Sequence, residues 1–369
     1  MVVGGGTPDT NNHKYWNGDI QWFTPSEIGR DKYVTNSLRT ISEEGLNKSS
    51  AKLLPIGTIL LSSRATVGEC SINKVECTTN QGFQSLIPKE NFSKEFVFYL
   101  MQTKRKELIR KSCGSTFLEI SANEVRKIKI AVPTSKEQEK ISKLLALLDE
   151  RISTQNKIIE DLKKLKYAIS KYLFERKDLF ENKIKLSKVA ELKNGYAFQS
   201  SKYNALGKWK ILTIANVAGE RYVKTNECNC IIEIPHDIQK HQKLEANDIL
   251  ISLTGNVGRV SLCTEGFFLL NQRVGLLQLK ISENREFIYQ VLSFHKFEES
   301  MIACAQGAAQ MNIGKGDVEN YILPYSFNKE NINSVASVLK NYDKYIINEI
   351  NMLSMLHSQK QYLLRQMFI

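Results

Sequence analysis

Two stretches of this chain run without a glycine or a proline, from residue 134 to residue 194 and again from residue 325 to the end. In the first, Ile141, Leu145, Leu148, Ile152, Ile159, Leu162, Ile169 and Leu173 recur in alternating steps of four and three, with Gln155 and Lys166 on the same line. In the second, Ile332, Val335, Leu339, Tyr342, Ile346, Leu353, Leu356, Leu363 and Met367 do the same, with Glu349 and Lys360 as the polar interruptions. Glycine and proline cost a helix interior about 1 and 3 kcal/mol, so both stretches predict long helices, spanning 134–177 and 326–369. A sustained spacing of 3.5 residues is a coiled-coil seam, on which polar positions fix register and partner orientation. The interruptions match at a constant offset of 194. Two matching seams favour mutual packing, as an antiparallel coiled coil, over separate amphipathic helices each lying on its own domain. Ser135 and Gln138, just after Pro133, read as a capping box at the first helix start.

The segments before each helix, 1–133 and 178–325, carry short apolar runs: "ILLSS", "FQSLIP" and "IKIAVP" in the first, "ILISL", "VGLLQL" and "YILP" in the second. Turn residues separate these runs, and helical patches lie at 93–112 and 283–303, so each segment reads as an α+β domain. The two segments are also alike. Ile59, Leu60, Ser62, Val67 and Gly68 match Ile249, Leu250, Ser252, Val257 and Gly258 at an offset of 190, and "TNQGF" at 79–83 matches "LNQRV" at 270–274. Gly114, Ile120 and Val125 match Gly307, Ile313 and Val318 at 193, and Pro133 matches Pro324. One unit of about 190 residues, a globular domain followed by a long helix, is duplicated, with a period too long for a solenoid. A 40-residue helix is about 60 Å long, so an antiparallel pair would hold the two domains apart on a pseudo-two-fold axis.

Charge narrows the partner. The formal net charge is +12, with a pI near 9.2, and Lys and Arg that neutralise phosphates release condensed counterions. A polyanion, nucleic acid ahead of an acidic membrane surface, is the expected partner. DNA has local two-fold symmetry, and paired modules read two half-sites at a defined spacing. The domains differ between their shared stretches, so the half-sites should differ. A mean hydropathy of −0.30 and the lack of any long apolar run exclude a membrane span, and no signal peptide is evident. Seven scattered cysteines suit a reducing compartment, and the expected location is cytoplasmic.

The whole chain resembles the specificity subunits of type I restriction-modification systems. The resemblance rests on "GGTPDTNNHKYWNGDIQWFTPSEI" at 5–28, "LPIGTILLSSRATVGECSI" at 54–72, "TNQGFQSLIP" at 79–88 and "VPTSKEQEKISKLLALLDERI" at 132–152, with "LSKVAELKNGYAF", "NDILISLTGNVG" and "LNQRVG" in the second repeat. It implies two target-recognition domains spaced by two long antiparallel helices and reading a bipartite asymmetric site on double-stranded DNA. It further implies docking to two modification subunits that transfer methyl groups from S-adenosylmethionine to adenine, and to a restriction subunit that uses ATP and Mg²⁺, with no cofactor bound by this chain. One departure from the family pattern is the start: "ENKIKLSKVAELKNG" leads into the second domain, whereas the first begins at "MVVGGGTP", so an equivalent lead-in is expected to be missing and the first domain could be impaired.

No catalytic constellation is evident. The chain has no Asn or Asp before a Pro-Pro-aromatic triplet, and "IGKGD" at 313–317 lacks the spacing of a phosphate loop, with Gly307 seven residues before Gly314 and Gly316 where Ser or Thr should stand. Cys228, Cys230, His236 and His241 are too tightly spaced at the cysteines for a usual zinc site, and no metal is expected. Sequence readers are expected where the domains diverge, around 9–50 and 199–245. Candidates are Lys14, Lys32, Asn36, Arg39, Lys202, Lys208, Arg221 and Lys224, with Arg64, Arg105 and Arg259 as phosphate contacts. Asn80, Gln81, Asn271 and Gln272 occur in both domains and are expected to brace turns, and Trp16, Trp22 and Trp209 to sit in cores. A coiled-coil scaffold with only non-specific DNA affinity, a self-contained methyltransferase and a specificity subunit inactivated at its amino terminus are the competing readings.

Overall fold

The computed structural model describes residues 1–114, 118–280, 284–306 and 311–368, so Gly307 lies outside the described residues. The chain divides into two compact units, Met1–Asn156 with Met352–Ile369, and Lys157–Asn351. Each unit therefore contains one globular domain and a part of each long helix.

The first unit runs through β1 (Val2–Gly4), β2 (Trp16–Phe23), β3 (Tyr33–Val34), β4 (Arg39–Ile41), α1 (Glu43–Asn47), β5 (Ile59–Leu61), β6 (Cys70–Asn73), β7 (Cys77–Thr79) and β8 (Gln84–Leu86). It continues with α2 (Lys94–Arg110), α3 (Ala122–Arg126) and the start of α4 (Ser135–Glu175). Its strands form a sheet of order β1-β8-β5-β6-β3 and a second of order β4-β2-β7, in which β2 and β7 are parallel. In the second unit, β9 (Asn182–Lys185), β10 (Ala190–Asn194), β11 (Trp209–Leu212), β12 (Asn229–Ile231), β13 (Lys243–Leu244), β14 (Ile249–Ser252), β15 (Val260–Leu262), β16 (Phe268–Leu270) and β17 (Val274–Leu279) come first. Then follow α5 (Arg285–Leu292), α6 (His295–Ala305), α7 (Lys315–Glu319), β18 (Ile322–Tyr325) and α8 (Lys329–Met367). Here the sheets are β10-β17-β14-β15 and β12-β11-β16-β13, with β11 and β16 parallel, plus the β9-β18 pair. The neighbour orders β1-β8-β5-β6 and β4-β2-β7 repeat as β10-β17-β14-β15 and β12-β11-β16, with β3 added at one edge in the first unit and β13 in the second, so the duplication seen in the sequence is a duplication of the core topology.

The repeated stretch from which the duplication is most easily read is a strand covered on both faces. Ile59 and Leu61 pack with Val97, Phe98 and Tyr99 of α2, while Leu60 faces a separate core of Phe23, Leu54 and Phe83. All three residues are fully buried, which explains an unbroken apolar run in place of alternation. Ile249, Leu250 and Ile251 do the same in the second unit. The turn that follows ends on a left-handed glycine, Gly68 at φ 86° and Gly258 at φ 80°. Both lie hard against a helix: a Cβ at Gly68 would sit 2.8 Å from Arg105 Cγ, and one at Gly258 2.7 Å from Met301 Cβ. Glycine is required there for both dihedral and space.

The long helices form as the spacing predicts. Leu145, Ile159, Leu339 and Ile346 are buried, and Ile141, Leu148, Ile152, Leu162, Leu353, Leu356 and Leu363 are half-buried, while the positions between them are largely exposed. In the first unit, Lys360 of α8 pairs with Asp149 of α4 at 2.6 Å, and Phe368 stacks on Phe96, close to the helix start that Gln138 joins to Ser93. In the second unit, Lys166 of α4 pairs with Asp343 of α8 at 2.6 Å, while Asn331, near the start of α8, bonds Leu179, just past the end of α4. Within each unit the two helices therefore run antiparallel. Leu145 packs into the core of the first domain and Ile332, Val335 and Leu339 into that of the second, so each helix start is also anchored on a domain, at about 1.5–3 kcal/mol for each fully enclosed side chain.

Two expectations need correcting. The helix cap is one residue earlier than Ser135 and Gln138: Thr134 and Glu137 make it, with the Glu137 carboxylate accepting from the Thr134 amide at 3.1 Å. Gln138 instead accepts from the Ser93 amide at 3.0 Å, tying the start of α4 to α2. The run "IKIAVP" forms no strand, and Ile130 and Val132 are exposed. Its counterpart β18 is a strand because β9 pairs with it from Ile322–Lys185 to Tyr325–Asn182. Among the described residues, no strand lies beside 128–132 to do the same.

Candidate nucleic-acid interface

In the first domain the divergent segment is held by two tryptophans. Trp16 and Trp22 are buried and meet edge to face at 5.0 Å, as expected, and their indole NH groups donate to the carbonyls of Asp9 and Gly6. Arg39, on β4, lies over this pair, with its guanidinium carbon 3.6 Å from the Trp16 ring centroid. Stacking leaves the guanidinium edges outward and lowers the entropy cost of using them. Lys14, on a short 3₁₀ turn, and Asn36 are exposed nearby in the chain. Together with Arg39 they are the exposed members among the first domain's expected sequence readers.

Lys32 is different. It is half-buried, donates to the Tyr99 hydroxyl at 3.0 Å and sits 4.5 Å over that ring. Desolvation by burial lowers its pKa, against the opposing pull of Asp149 and Glu95. Arg64 is 2.8 Å from Glu119 across an isolated bridge. Arg105 pairs with Glu69 at 2.7 Å beside Gly68.

In the second domain Lys202 and Lys208 are exposed, with Lys208 5.1 Å from the Phe267 ring and near Trp209. Trp209 is half-buried, edge to face with Phe267. Lys224 pairs with Glu220 at 3.0 Å on the surface. Arg259 pairs with Glu298 at 3.3 Å. Glu69–Arg105 and Arg259–Glu298 are the same brace with its charges exchanged: Glu69 and Arg259 both follow the turn glycine, and each reaches the helix behind it. A brace kept in position while its sign reverses serves the packing of the turn, and gives Arg105 and Arg259, 49% and 36% exposed, a carboxylate partner within their own unit.

Arg221 departs furthest from the sequence reading. Only 7% of its side chain is exposed, and the guanidinium grips Glu286 with two hydrogen bonds and Asp343 with a third at 2.8 Å. Burial opposes its charge, but the Glu286 bonds and the Asp343 charge outweigh it, so its pKa is raised. With its donors committed inside the unit, Arg221 is positioned to join domain to helix and not to reach a base edge.

Sequence reasoning missed a cleft where the shared stretch ending at Phe198 meets the divergent segment. Tyr196, Phe198, Tyr203, Lys202, Ile234 and His236 line a space of about 660 Å³. The Tyr196 hydroxyl donates to Asp237 at 2.8 Å, and the Tyr196 and Phe198 rings meet at 4.9 Å. Neither Tyr nor Phe stands out in composition there; only the fold brings residues 196–204 and 231–237 together. Asn80 and Asn271 do brace turns, accepting from the amides of Gly82 at 2.8 Å and Arg273 at 3.2 Å. Gln81 and Gln272 do not: the Gln81 side chain accepts from the Thr7 hydroxyl far along the chain, and the bond from Gln272 to the Tyr196 carbonyl is made by its backbone NH. Cys228 receives the Asn216 amide at 3.3 Å, and the His241 ring contacts the Asn194 carbonyl at 3.1 Å. Lys315 of "IGKGD" pairs with Glu191 at 2.8 Å, next to the capping Gly314. Among the described residues, no group of three or more His, Cys, Asp or Glu is placed to hold a metal ion, and no helix is long and apolar enough to cross a membrane.

The family model for the type I restriction modification DNA specificity domain matches this chain twice, over residues 2–164 and 180–352. The MjaIX type I restriction enzyme specificity subunit of Methanocaldococcus jannaschii is 37% identical over 185 residues, 49% of this chain and 43% of that relative, so the match spans less than half of the relative's length. Among solved structures, the type I restriction-modification S subunit of M. genitalium shares the fold, with a TM-score of 0.57 and 17% identity over 98% of this chain and 99% of that one. A further chain, from a structure described as showing complex assembly and conformational transition of the type I R-M system, gives a TM-score of 0.61 and 16% identity over 99% of this chain and 94% of that one.

Proposed function

The chain belongs to the type I restriction modification DNA specificity family, and we propose that it reads a bipartite, asymmetric site on double-stranded DNA. Each globular domain takes one half-site through its divergent segment, and the two long helices set the gap. The observation that carries this reading is the repetition of one topology with unlike surface segments: Arg39 stacked on Trp16 in the first domain, and Lys202, Lys208 and the aromatic cleft in the second. Lys14, Asn36, Arg39, Lys202 and Lys208 are the proposed readers of bases and phosphates, with Tyr196 and Tyr203 beside them. Arg and Asn can pair bidentately with guanine and adenine in the major groove.

The chain itself is non-catalytic in this account. Two modification subunits transfer methyl groups from S-adenosylmethionine to adenine, restriction subunits use ATP and Mg²⁺, and this chain docks both. Selection of a random duplex library by the complex of this chain with a modification subunit tests the reading. Enrichment of one motif, with two unlike halves at a fixed gap, is the expected result. Retention of all sequences alike, with an affinity that collapses as salt rises, supports the coiled-coil scaffold with non-specific affinity instead.

A further inference from the structure

Asp149 and Asp343 stand at equivalent places in the repeat, 194 residues apart, as do Lys166 and Lys360. Each aspartate is the centre of a polar cluster inside its own unit. In the first unit, Asp149 holds Lys360 at 2.6 Å and accepts from the Tyr99 hydroxyl at 2.6 Å, which in turn accepts from Lys32 at 3.0 Å. In the second, Asp343 holds Lys166 at 2.6 Å, Arg221 at 2.8 Å and the Gln290 amide at 2.6 Å, while Arg221 lies 5.0 Å from the Tyr289 ring. Lys32 and Arg221 are 189 residues apart and Tyr99 and Tyr289 190 apart, so the same cation, tyrosine, aspartate and lysine meet twice. Every cluster joins three elements: a recognition domain, the long helix that follows it, and the other long helix.

The apolar seam cannot do this job. Steps of four and three repeat every seven residues, so sliding one helix by a heptad, about 10 Å, brings leucines and isoleucines back onto leucines and isoleucines. The polar clusters break that degeneracy. A seven-residue slip would set Asp149 opposite Leu353 or Met367, and Asp343 opposite Ile159 or Leu173, all of them on the seam. Each carboxylate, Asp149 27% and Asp343 9% exposed, would then face an apolar side chain in place of its lysine, and removing one partner of a largely enclosed pair is costly even where Arg221 stays beside Asp343. A polar residue that selects one alignment among near-equal apolar ones is the best-attested use of such groups in coiled coils.

We propose that Asp149 with Lys360, and Asp343 with Lys166, are register pins: they select a single alignment of α4 against α8, hold each recognition domain to it, and so set one gap between half-sites. The link to the gap rests on the two-half-site reading above; the link to helix register does not. The pinning residues are positioning residues and touch no base.

The test is the double variant Lys166→Met, Lys360→Met in the full chain. Methionine keeps an unbranched apolar stem and leaves each aspartate with its own domain's partners, so only the cross-helix link is removed. Register is read without DNA by adding Ser153→Cys and His357→Cys, which line one cleft of the first unit, and mapping the products of a short bis-maleimide by peptide mass. The gap is read by mapping methylated adenines after co-expression with a modification subunit. Expected are a 153–357 cross-link and one gap with the native lysines, loss of at least half of that cross-link and several gaps around unchanged half-sites in the methionine variant, and recovery of both by Lys166→Arg, Lys360→Arg. A methionine variant that folds, cross-links fully and keeps one gap overturns the proposal, since a merely stabilising pair would lower the unfolding temperature and leave the gap alone. If the methionine variant does not fold, Asp149→Asn with Asp343→Asn, isosteric and uncharged, gives the same readouts. A native chain that cross-links but methylates no two-part motif overturns the functional reading and leaves the register assignment standing.

Discussion

Arg221 and Arg39 were equal candidates in the sequence, and the structure separates them by a measurable free energy. Replacing Arg221 with Ala removes a guanidinium that is 7% exposed and leaves the Glu286 and Asp343 carboxylates, 21% and 9% exposed, with Lys166 and Lys340 as remaining cations. Breaking a buried ion pair from one side costs about 3–5 kcal/mol, because the surviving charge stays enclosed. For a unit of about 200 residues each kcal/mol lowers the unfolding temperature by about 2–4 °C, so Arg221→Ala should lose about 10 °C. Arg39→Ala removes a surface cation from an indole face, worth about 0.5–1 kcal/mol, and should shift unfolding by no more than about 4 °C. Thermal unfolding followed by circular dichroism reads both, and binding to the selected duplex reads the converse: Arg39→Ala weakens recognition at one half-site while the fold is retained. An Arg221→Ala chain that unfolds within about 2 °C of the unmodified one, on that same scale, yet loses recognition of one half-site, would refute the assignment of Arg221 to an internal role.

Three other outcomes follow from the same geometry. Leu145 is fully buried where α4 meets the first domain core, so Leu145→Ala should cost about 2–5 kcal/mol, whereas Leu147, 55% exposed, should tolerate alanine with a change under about 0.5 kcal/mol in urea unfolding. Glu69→Arg or Arg105→Glu alone should cost under about 1 kcal/mol, since the pair is partly exposed, and the double exchange should restore stability, because Arg259 and Glu298 already hold the reversed pair; a double-mutant cycle with no coupling would contradict the brace. Burial pushes the Cys70, Cys77 and Cys263 thiols up to about 12, so a thiol reagent at pH 8 should label Cys113 and Cys304 rapidly and those three only on unfolding, read by peptide mapping.

What the sequence made legible was periodic or repeated. The seam residues from Ile141 to Leu363 announce themselves because helix burial follows a 3.5-residue step, and the doubly covered strands Ile59–Leu61 and Ile249–Ser252 because both faces are apolar. The run at 128–132 reads as a strand yet forms none, because a β-branched run states propensity and not whether a partner strand lies beside it; β18 has β9, and 128–132 has no strand neighbour among the described residues. The enclosed settings of Lys32 and Arg221 are not legible in the sequence, because a cation on a divergent segment looks the same whether it faces solvent or a carboxylate far along the chain. Asp149 lies 117 residues from Lys32, and Asp343 lies 122 from Arg221. One signal could have found them: Asp149 and Asp343 repeat at the same 194 offset as the polar seam positions. The cleft around Tyr196 and His236 left no such trace, since its two walls come from segments that share no period.

The central claim is that the divergent segments read the half-sites and the shared frame does not. It is tested most directly by replacing residues 199–245 with the corresponding segment of another specificity chain, co-expressing the chimera with a modification subunit, and mapping methylated adenines. The account predicts that one half of the methylated motif changes while the other half and the gap stay as they were. A motif altered in both halves, or left unaltered by the exchange, would contradict it.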